Sequence, residues 1–473
     1  MGKGARTKFY ADIMSFHPEV TGSCNLIVVK YPNGETTKFM VDCGLFQEKE
    51  HYENNNKLWC NAETLDFVLV THNHVDHIGR LPYLVKNGFY KSIFMTKVTS
   101  NLIRFALEDS CSVLKDVAKC NNIKPLYDED DVDNTLRKIV GCDFDRTIEV
   151  APNIKATFFT NGHLLGAAII LVQISYPEYD DINILFTGDY HKKNMFFEVN
   201  PLPEWLKSLR MTVVQEATYG DTDSENVEEC YENNIAKAIN EEKTVVTPVF
   251  SLGRSQEILY VIKKMQEEGK ISTSIPIYLD GNLAFRYTAM YLNDKIEIKE
   301  EMRNFLPENL IYVGKEMRHD ILEDNNSKII VTTSGMGSYG PAQVYIPYYL
   351  QKRKALIHFT GYTAEGTLGR RLKETPKGET LEISGLVLVK RADVEYTTEY
   401  SAHAKADEMI DFLNQFSNLK MILINHGQTE TKKVFANRVL KEVETNHVGV
   451  LGEGYLFRVD TYGLVKTMST KFE

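Results

Sequence analysis

The sequence contains no C-x-x-C pair, and its seven cysteines (24, 43, 60, 111, 120, 142 and 230) are an odd number. That argues against a disulfide framework and a thiolate zinc knuckle, and sets the expectation of a reduced, cytoplasmic setting. Long apolar runs are missing too. Residues 157–177 and 329–351 carry no Asp, Glu, Lys or Arg, but Asn161, Gly162, His163 and Gln173 interrupt the first, and Thr, Ser, Gly and Pro fill the second. Neither offers the ~20 predominantly apolar residues of a membrane span. The opening MGKGARTK has no apolar core for a signal peptide, and Arg6 spoils a myristoylation match. Positive charge is in deficit, with 54 Lys and Arg against 65 Asp and Glu, a net −11. Spread evenly, that charge would disfavour a nucleic-acid partner. It is not spread evenly: residues 328–391 hold ten Lys and Arg against four acids (Glu365, Glu374, Glu379 and Glu382), while carboxylates gather at 128–133 and 216–229.

What is present describes a globular chain. Its 473 residues, 43% hydrophobic and 25% charged, suffice for two or three domains around sizeable cores. No internal repeat or low-complexity linker divides it, and short apolar runs alternate with helical patterns, as in an α/β architecture. A hairpin is expected over 25–31 and 36–41 around Pro32-Asn33-Gly34, and helices over 98–121, 257–265 and 406–416. Five apolar runs end on a chemically useful residue: 38–41 on Asp42, 67–70 on Thr71-His72, 182–186 near Asp189, 213–214 near Glu216, and 421–424 near His426. The carboxyl ends of strands are where α/β sheets place their sites, so five such endings predict one converging site.

The most specific motif is His72-Asn73-His74-Val75-Asp76-His77. In an extended segment His72 and His74 point the same way and can grip one ion; Asp76 and His77 follow where the chain turns into a helix and can serve a second. Imidazole nitrogen with carboxylate oxygen is a donor set zinc favours. Taken singly, His163, Asp189 and His426 would read as a core histidine, a turn residue and a polar strand end. Their weight comes from their order.

Asp42, the 72–77 motif, His163 and Asp189 resemble the ordered signature of the metallo-β-lactamase superfamily. Downstream, Glu216-Ala217-Thr218-Tyr219-Gly220, Ser401-Ala402-His403-Ala404 and Asn425-His426-Gly427 resemble motifs A, B and C of its β-CASP branch, which includes the RNA 3′-end cleavage endonuclease, its bacterial and archaeal relatives, and RNase J. Segments 248–259, 277–284, Ser334-Gly335-Met336 and 361–372 (GYTAEGTLGRRL) also look like family segments.

The resemblance implies an α/β fold: a four-layer αββα sandwich built from residues 1–220 and 396–473, with an inserted α/β β-CASP domain at 221–395. It implies two Zn2+ per chain, one on His72, His74 and His163, the other on Asp76, His77 and His426, with Asp189 bridging. Asp42 would support the site without being a firm ligand, and Asp76 and Asp42 join Glu216 and His403 as candidate catalytic residues. A hydroxide held by the zincs would attack phosphorus and leave a 5′-phosphate, with His403, oriented by Glu216, protonating the leaving 3′ oxygen. Arg254, Ser334, Gly335, Met336, Arg370 and Arg371 are candidate phosphate contacts; by default the arginines would be surface residues.

The expected activity is zinc-dependent, endonucleolytic cleavage of single-stranded RNA, with 5′-exonuclease activity as a second mode, no membrane partner, and a homodimer allowed for. Neither the C-terminal domain of RNase J nor a KH module is legible in the sequence, so hydrolysis is a firmer expectation than processive exonucleolysis. The alternatives are a DNA-acting or small-substrate hydrolase and a non-catalytic scaffold subunit. After Asp189 stand Tyr190, His191 and Lys192, where many relatives carry a Ser, which makes His191 a neighbour of open role.

Overall fold

The structure is a computed structural model that describes residues 9–17, 19–227, 229–361, 363–364, 366–461 and 467–469; Arg6, Tyr362 and Glu365 lie outside the described residues. The chain divides into two compact units. One comprises residues 1–194, 199–224 and 402–473, the other 195–198 and 225–401.

The first unit contains two sheets. Its eight-stranded sheet runs in the order Thr467–Ser469, Tyr455–Asp460, Tyr10–Ser15, Asn25–Lys30, Thr36–Val41, Phe67–Leu69, Ser92–Thr96, Ile139–Cys142. The first five of these strands pair antiparallel and the last four parallel, Thr36–Val41 belonging to both sets. The seven-stranded sheet runs Val448–Val450, Leu419–Asn425, Met211–Glu216, Ile182–Phe186, Ala168–Ile174, Ile154–Thr160, Ile148–Ala151. Ile27, Phe39, Phe67 and Leu69 of one sheet pack against Phe158, Ile170, Ile184 and Leu423 of the other, closing a core between them. Each outer face takes helices. Leu102, Ile103, Ala106, Leu107 and Leu114 form the buried stripe of Lys97–Cys120, and Met409, Phe412 and Phe435 seat Ala406–Leu413 and Thr429–Glu442. The four layers are αββα.

The carboxylate run at 128–133 has a local cause. Asp128 caps the helix Glu129–Leu136 by accepting the Asp131 N–H, and the acids that follow sit at the positive end of the helix dipole.

The second unit is a six-stranded parallel sheet in the order Leu310–Tyr312, Ile277–Asp280, Ile329–Thr332, Thr244–Pro248, Ala355–Phe359, Asp393–Tyr396. Helices cover both faces, which explains why its strands read as unbroken apolar runs. A separate hairpin joins Thr380–Ile383 to Leu386–Val389. All seven cysteines are unbridged, and among the described residues no helix is long and apolar enough to cross a membrane.

Candidate metal centre

The five strand endings meet at the carboxyl ends of the strands in the first unit. Asp42 follows Thr36–Val41 with φ +64°, a left-handed conformation that short polar residues tolerate. Its carboxylate accepts the Thr71 N–H and the Thr71 hydroxyl, each at 2.8 Å, and lies 2.8 Å from His77 Nδ1. This fixes the His77 ring with Nδ1–H toward Asp42 and leaves Nε2 facing Asp189 Oδ1 at 3.3 Å and Asp76 Oδ2 at 3.8 Å. Gly44 lets the loop close: a Cβ there would lie 1.5 Å from the Asp76 carbonyl oxygen.

Asp189 is the hub. His72 Nε2 and His163 Nε2 lie 3.6 and 3.7 Å from its Oδ2, and His426 Nδ1 lies 3.3 Å from its Oδ1. Two donor groups share this aspartate, His72, His74 and His163 on one side and Asp76, His77 and His426 on the other. His163 donates Nδ1–H to the Ala402 carbonyl at 2.9 Å, so its Nε2 lone pair also faces inward.

The donors fit a cation. His72 Nε2 is buried with no hydrogen-bond partner, an arrangement costing about 1–3 kcal/mol unless something else satisfies it. Burial pushes the His72 and His163 imidazoles well below their ordinary range and His74 down to about 4, keeping them neutral as ligands must be. At His77 burial acts in the same direction, but Asp189 and Asp42 outweigh it and hold the ring well above its usual range. A site that retains a proton against burial is one whose negative charge asks for a cation.

Glu216 and His403 converge on the same aspartate. Glu216 is buried at the end of Met211–Glu216 and accepts the Tyr190 N–H at 2.6 Å and the Thr218 N–H at 3.2 Å. Both its oxygens lie 3.1 Å from His403 Nδ1, and His403 Nε2 is 4.0 Å from Asp189 Oδ2. Burial disfavours charge on His403, but Glu216 overcomes it and raises the imidazole above its ordinary range.

Sequence reading named the donors but missed their supports. Thr71 touches Asp42 and lies near His72 and His77; Thr218 Oγ1 is 3.1 Å from His426 Nδ1. Asn161 donates to the Asp189 carbonyl at 2.9 Å and accepts the His163 N–H at 2.9 Å. Only their adjacency to the motifs could have flagged them. His191 lies outside both donor groups; its Nε2 is 3.8 Å from Glu408 Oε2.

The six candidate phosphate contacts belong to the second unit. Ser334, Gly335 and Met336 form the loop after Ile329–Thr332, where the Met336 carbonyl accepts the Gly369 N–H at 2.9 Å. Arg370 pairs with Glu374 at 2.6 Å, and Arg371 donates to the Glu382 carbonyl. Arg254 corrects the default of a surface arginine. It is only 7% exposed, because its guanidinium pairs with Glu257 at 2.9 Å and donates to the Thr360 carbonyl.

Comparison with known proteins agrees with this architecture. Residues 19–152 match the metallo-beta-lactamase superfamily, 255–372 the Beta-Casp domain, and 388–449 the RNA specificity domain of Zn-dependent metallo-hydrolases. The chain is 27% identical to an RNase J-like protein of Methanocaldococcus jannaschii, covering 91% of this chain and 96% of that one. It is 28% identical to ribonuclease TTHA0252 of Thermus thermophilus, covering 87% and 91%. It is also 28% identical to transcription termination factor FttA of Methanosarcina mazei, covering 90% of this chain but 68% of that longer protein. The chain belongs to the β-CASP branch of the metallo-β-lactamase superfamily, a branch of metal-dependent hydrolases that includes ribonucleases.

Proposed function

We propose that the protein is a zinc-dependent ribonuclease that hydrolyses phosphodiester bonds in single-stranded RNA, endonucleolytically and, from suitable 5′ ends, exonucleolytically. His72, His74 and His163 would hold one zinc, Asp76, His77 and His426 a second, and Asp189 both. Bound zinc supplies Lewis acidity toward phosphoryl oxygens and brings the pKa of water toward ~7. The chain's own residues do the rest. Asp42 and the Ala402 carbonyl hold His77 and His163 with their Nε2 atoms inward. Glu216 holds the Nδ1–H of His403 and so orients the ring with its Nε2–H toward the shared aspartate, as the proton to be delivered to the departing 3′ oxygen. The loop 334–336 is suited to phosphate oxygens, whereas Arg254 is paired with Glu257 and Arg370 with Glu374, so that each would have to exchange a carboxylate for phosphate.

The observation that carries this reading is the buried Glu216 carboxylate, both oxygens 3.1 Å from His403 Nδ1, on a ring whose other nitrogen faces the shared aspartate. Such a pair is what a general acid requires. The likeness to termination factors points to nascent transcripts as one class of substrate. The test is cleavage of labelled RNA and DNA oligonucleotides before and after chelation, with His403→Ala alongside. RNA cleavage should vanish on chelation and return with zinc, and the variant should lose 10²–10⁴-fold in rate at unchanged zinc content. Full RNA cleavage after complete metal removal would overturn the proposal.

A further inference from the structure

The second unit carries a basic surface at the amino edge of its parallel sheet, the edge opposite the loop 334–336. The helix Ala342–Leu350 ends there and runs through Lys352, Arg353 and Lys354, all exposed, into the strand Ala355–Phe359. Arg391, also exposed, is brought alongside because the Arg391 and Ala392 N–H groups both donate to the Leu350 carbonyl, at 2.8 and 2.9 Å.

Four carboxylates of this edge are already matched, while Glu379, whose carbonyl accepts the Lys390 N–H at 2.9 Å beside Arg391, makes no ion pair among the described residues. Glu241 and Asp393 pair with Lys243, Asp393 also with Lys377, Glu242 with Lys354, and Asp324 with Lys328. Among the described residues Lys352, Arg353 and Arg391 make no ion pair. Helix capping does not account for them either, since backbone N–H groups take the last carbonyls: Lys352 N–H donates to Tyr349 and Arg391 N–H to Leu350. Lys352 Nζ lies 4.6 Å from the centre of the half-buried Tyr348 ring, which adds an aromatic face beside the cations. In a chain of net charge −11, three unmatched cations on one sheet edge, one of them against an aromatic ring, are a local reversal of sign.

We propose that Tyr348, Lys352, Arg353 and Arg391 form an exosite for the backbone of single-stranded RNA, remote along the sheet from the loop 334–336. The three cations meet phosphates, and Tyr348 offers a face to a base. The site rests on the reading of RNA as substrate and extends it: long RNAs are held at a second place, and short ones are not.

The test uses the full-length protein with a 30-nucleotide unstructured RNA and a 6-nucleotide RNA, comparing parent, K352Q/R353Q/R391Q, and a control K97Q/K207Q/K264Q that neutralises three lysines already paired with carboxylates. Three phosphate contacts at ~0.7 each contribute about 2 to the slope of log affinity against log salt. Raising salt fourfold should therefore weaken the parent's binding to the long RNA about 20-fold more than the variant's. The control and the conservative K352R/R353K/R391K should follow the parent, and cleavage of the 6-mer should be equal in all four. An unchanged salt slope in the Gln variant, or an equal loss in the control, overturns the exosite while leaving RNA as substrate. A parent that binds neither RNA overturns both.

Discussion

Replacing Asp42 by Asn separates two explanations of how the centre holds metal. The carboxylate accepts three buried hydrogen bonds, two from Thr71 and one from His77. Asn is nearly isosteric and tolerates the φ of +64°. Its Oδ1 can keep the Thr71 N–H, but its NH2 then faces His77 Nδ1. Two donors cannot share that contact, so the proton must move to Nε2, the nitrogen 3.3 Å from Asp189 Oδ1. A protonated Nε2 cannot ligate. Losing such a supporting contact typically costs 10–100-fold in metal affinity, about 1.4–2.7 kcal/mol. Asp42→Ala removes all three bonds and adds about 1–2 kcal/mol of backbone strain, yet leaves the His77 tautomer free to adapt. The two variants should therefore rank in opposite orders. Ala is the less stable to urea, and Asn the weaker binder of zinc in competition with a chromophoric chelator. In the zinc-loaded proteins, nitrogen-15 NMR of the imidazoles should show Nε2–H at His77 in the Asn variant alone. If D42N binds zinc as tightly as the parent, or more tightly than D42A, the tautomer argument is refuted.

Two further outcomes follow from other contacts. Thr218→Val removes the hydroxyl 3.1 Å from His426 Nδ1 and should weaken zinc binding about tenfold with little effect on folding; equal affinity would show that the contact does not orient the ring. In the second unit His358 is fully buried, with Nε2 accepting from Asn234 and Nδ1 3.2 Å from the Phe359 carbonyl, and burial pushes it down to about 4. The unfolded chain takes up a proton near its ordinary 6.5, the folded one only near 4, so stability is full above pH 6.5 and falls as pH drops between those values. At pH 4.5 the loss is about 2.5 kcal/mol, and His358→Gln should remove that part of the pH dependence in urea unfolding.

The legible part of this protein was the part written in local pattern. Four-residue apolar runs ending on or beside Asp42, His72 and His426 could be read because strand and donor are close in sequence, and the stripe from Leu102 to Leu114 because a helix repeats every 3.6 residues. The supports were not legible. Thr71, Asn161 and Thr218 act on groups up to 208 residues away, and nothing in a lone threonine or asparagine announces its distant partner. Arg254 is the instructive miss. Glu257 stands three residues on in the same helix, a spacing that brings side chains together, so its internal pairing was readable from the sequence before any appeal to phosphate.

The nearest approach of His77 to His426 spans 349 residues of chain. At ~5–20 residues per second, synthesis places about 20–70 s between the first cluster of donors and the last. During that interval the emerging polypeptide has His72, His74, Asp76 and His77 but neither His403 nor His426, and the strand Leu419–Asn425 that borders Met211–Glu216 does not yet exist. For the same reason, a product truncated shortly before residue 403 is born without His403 and without His426, one donor of the second group. The order of residues alone thus sets the second donor group to be completed last, when residue 426 is added.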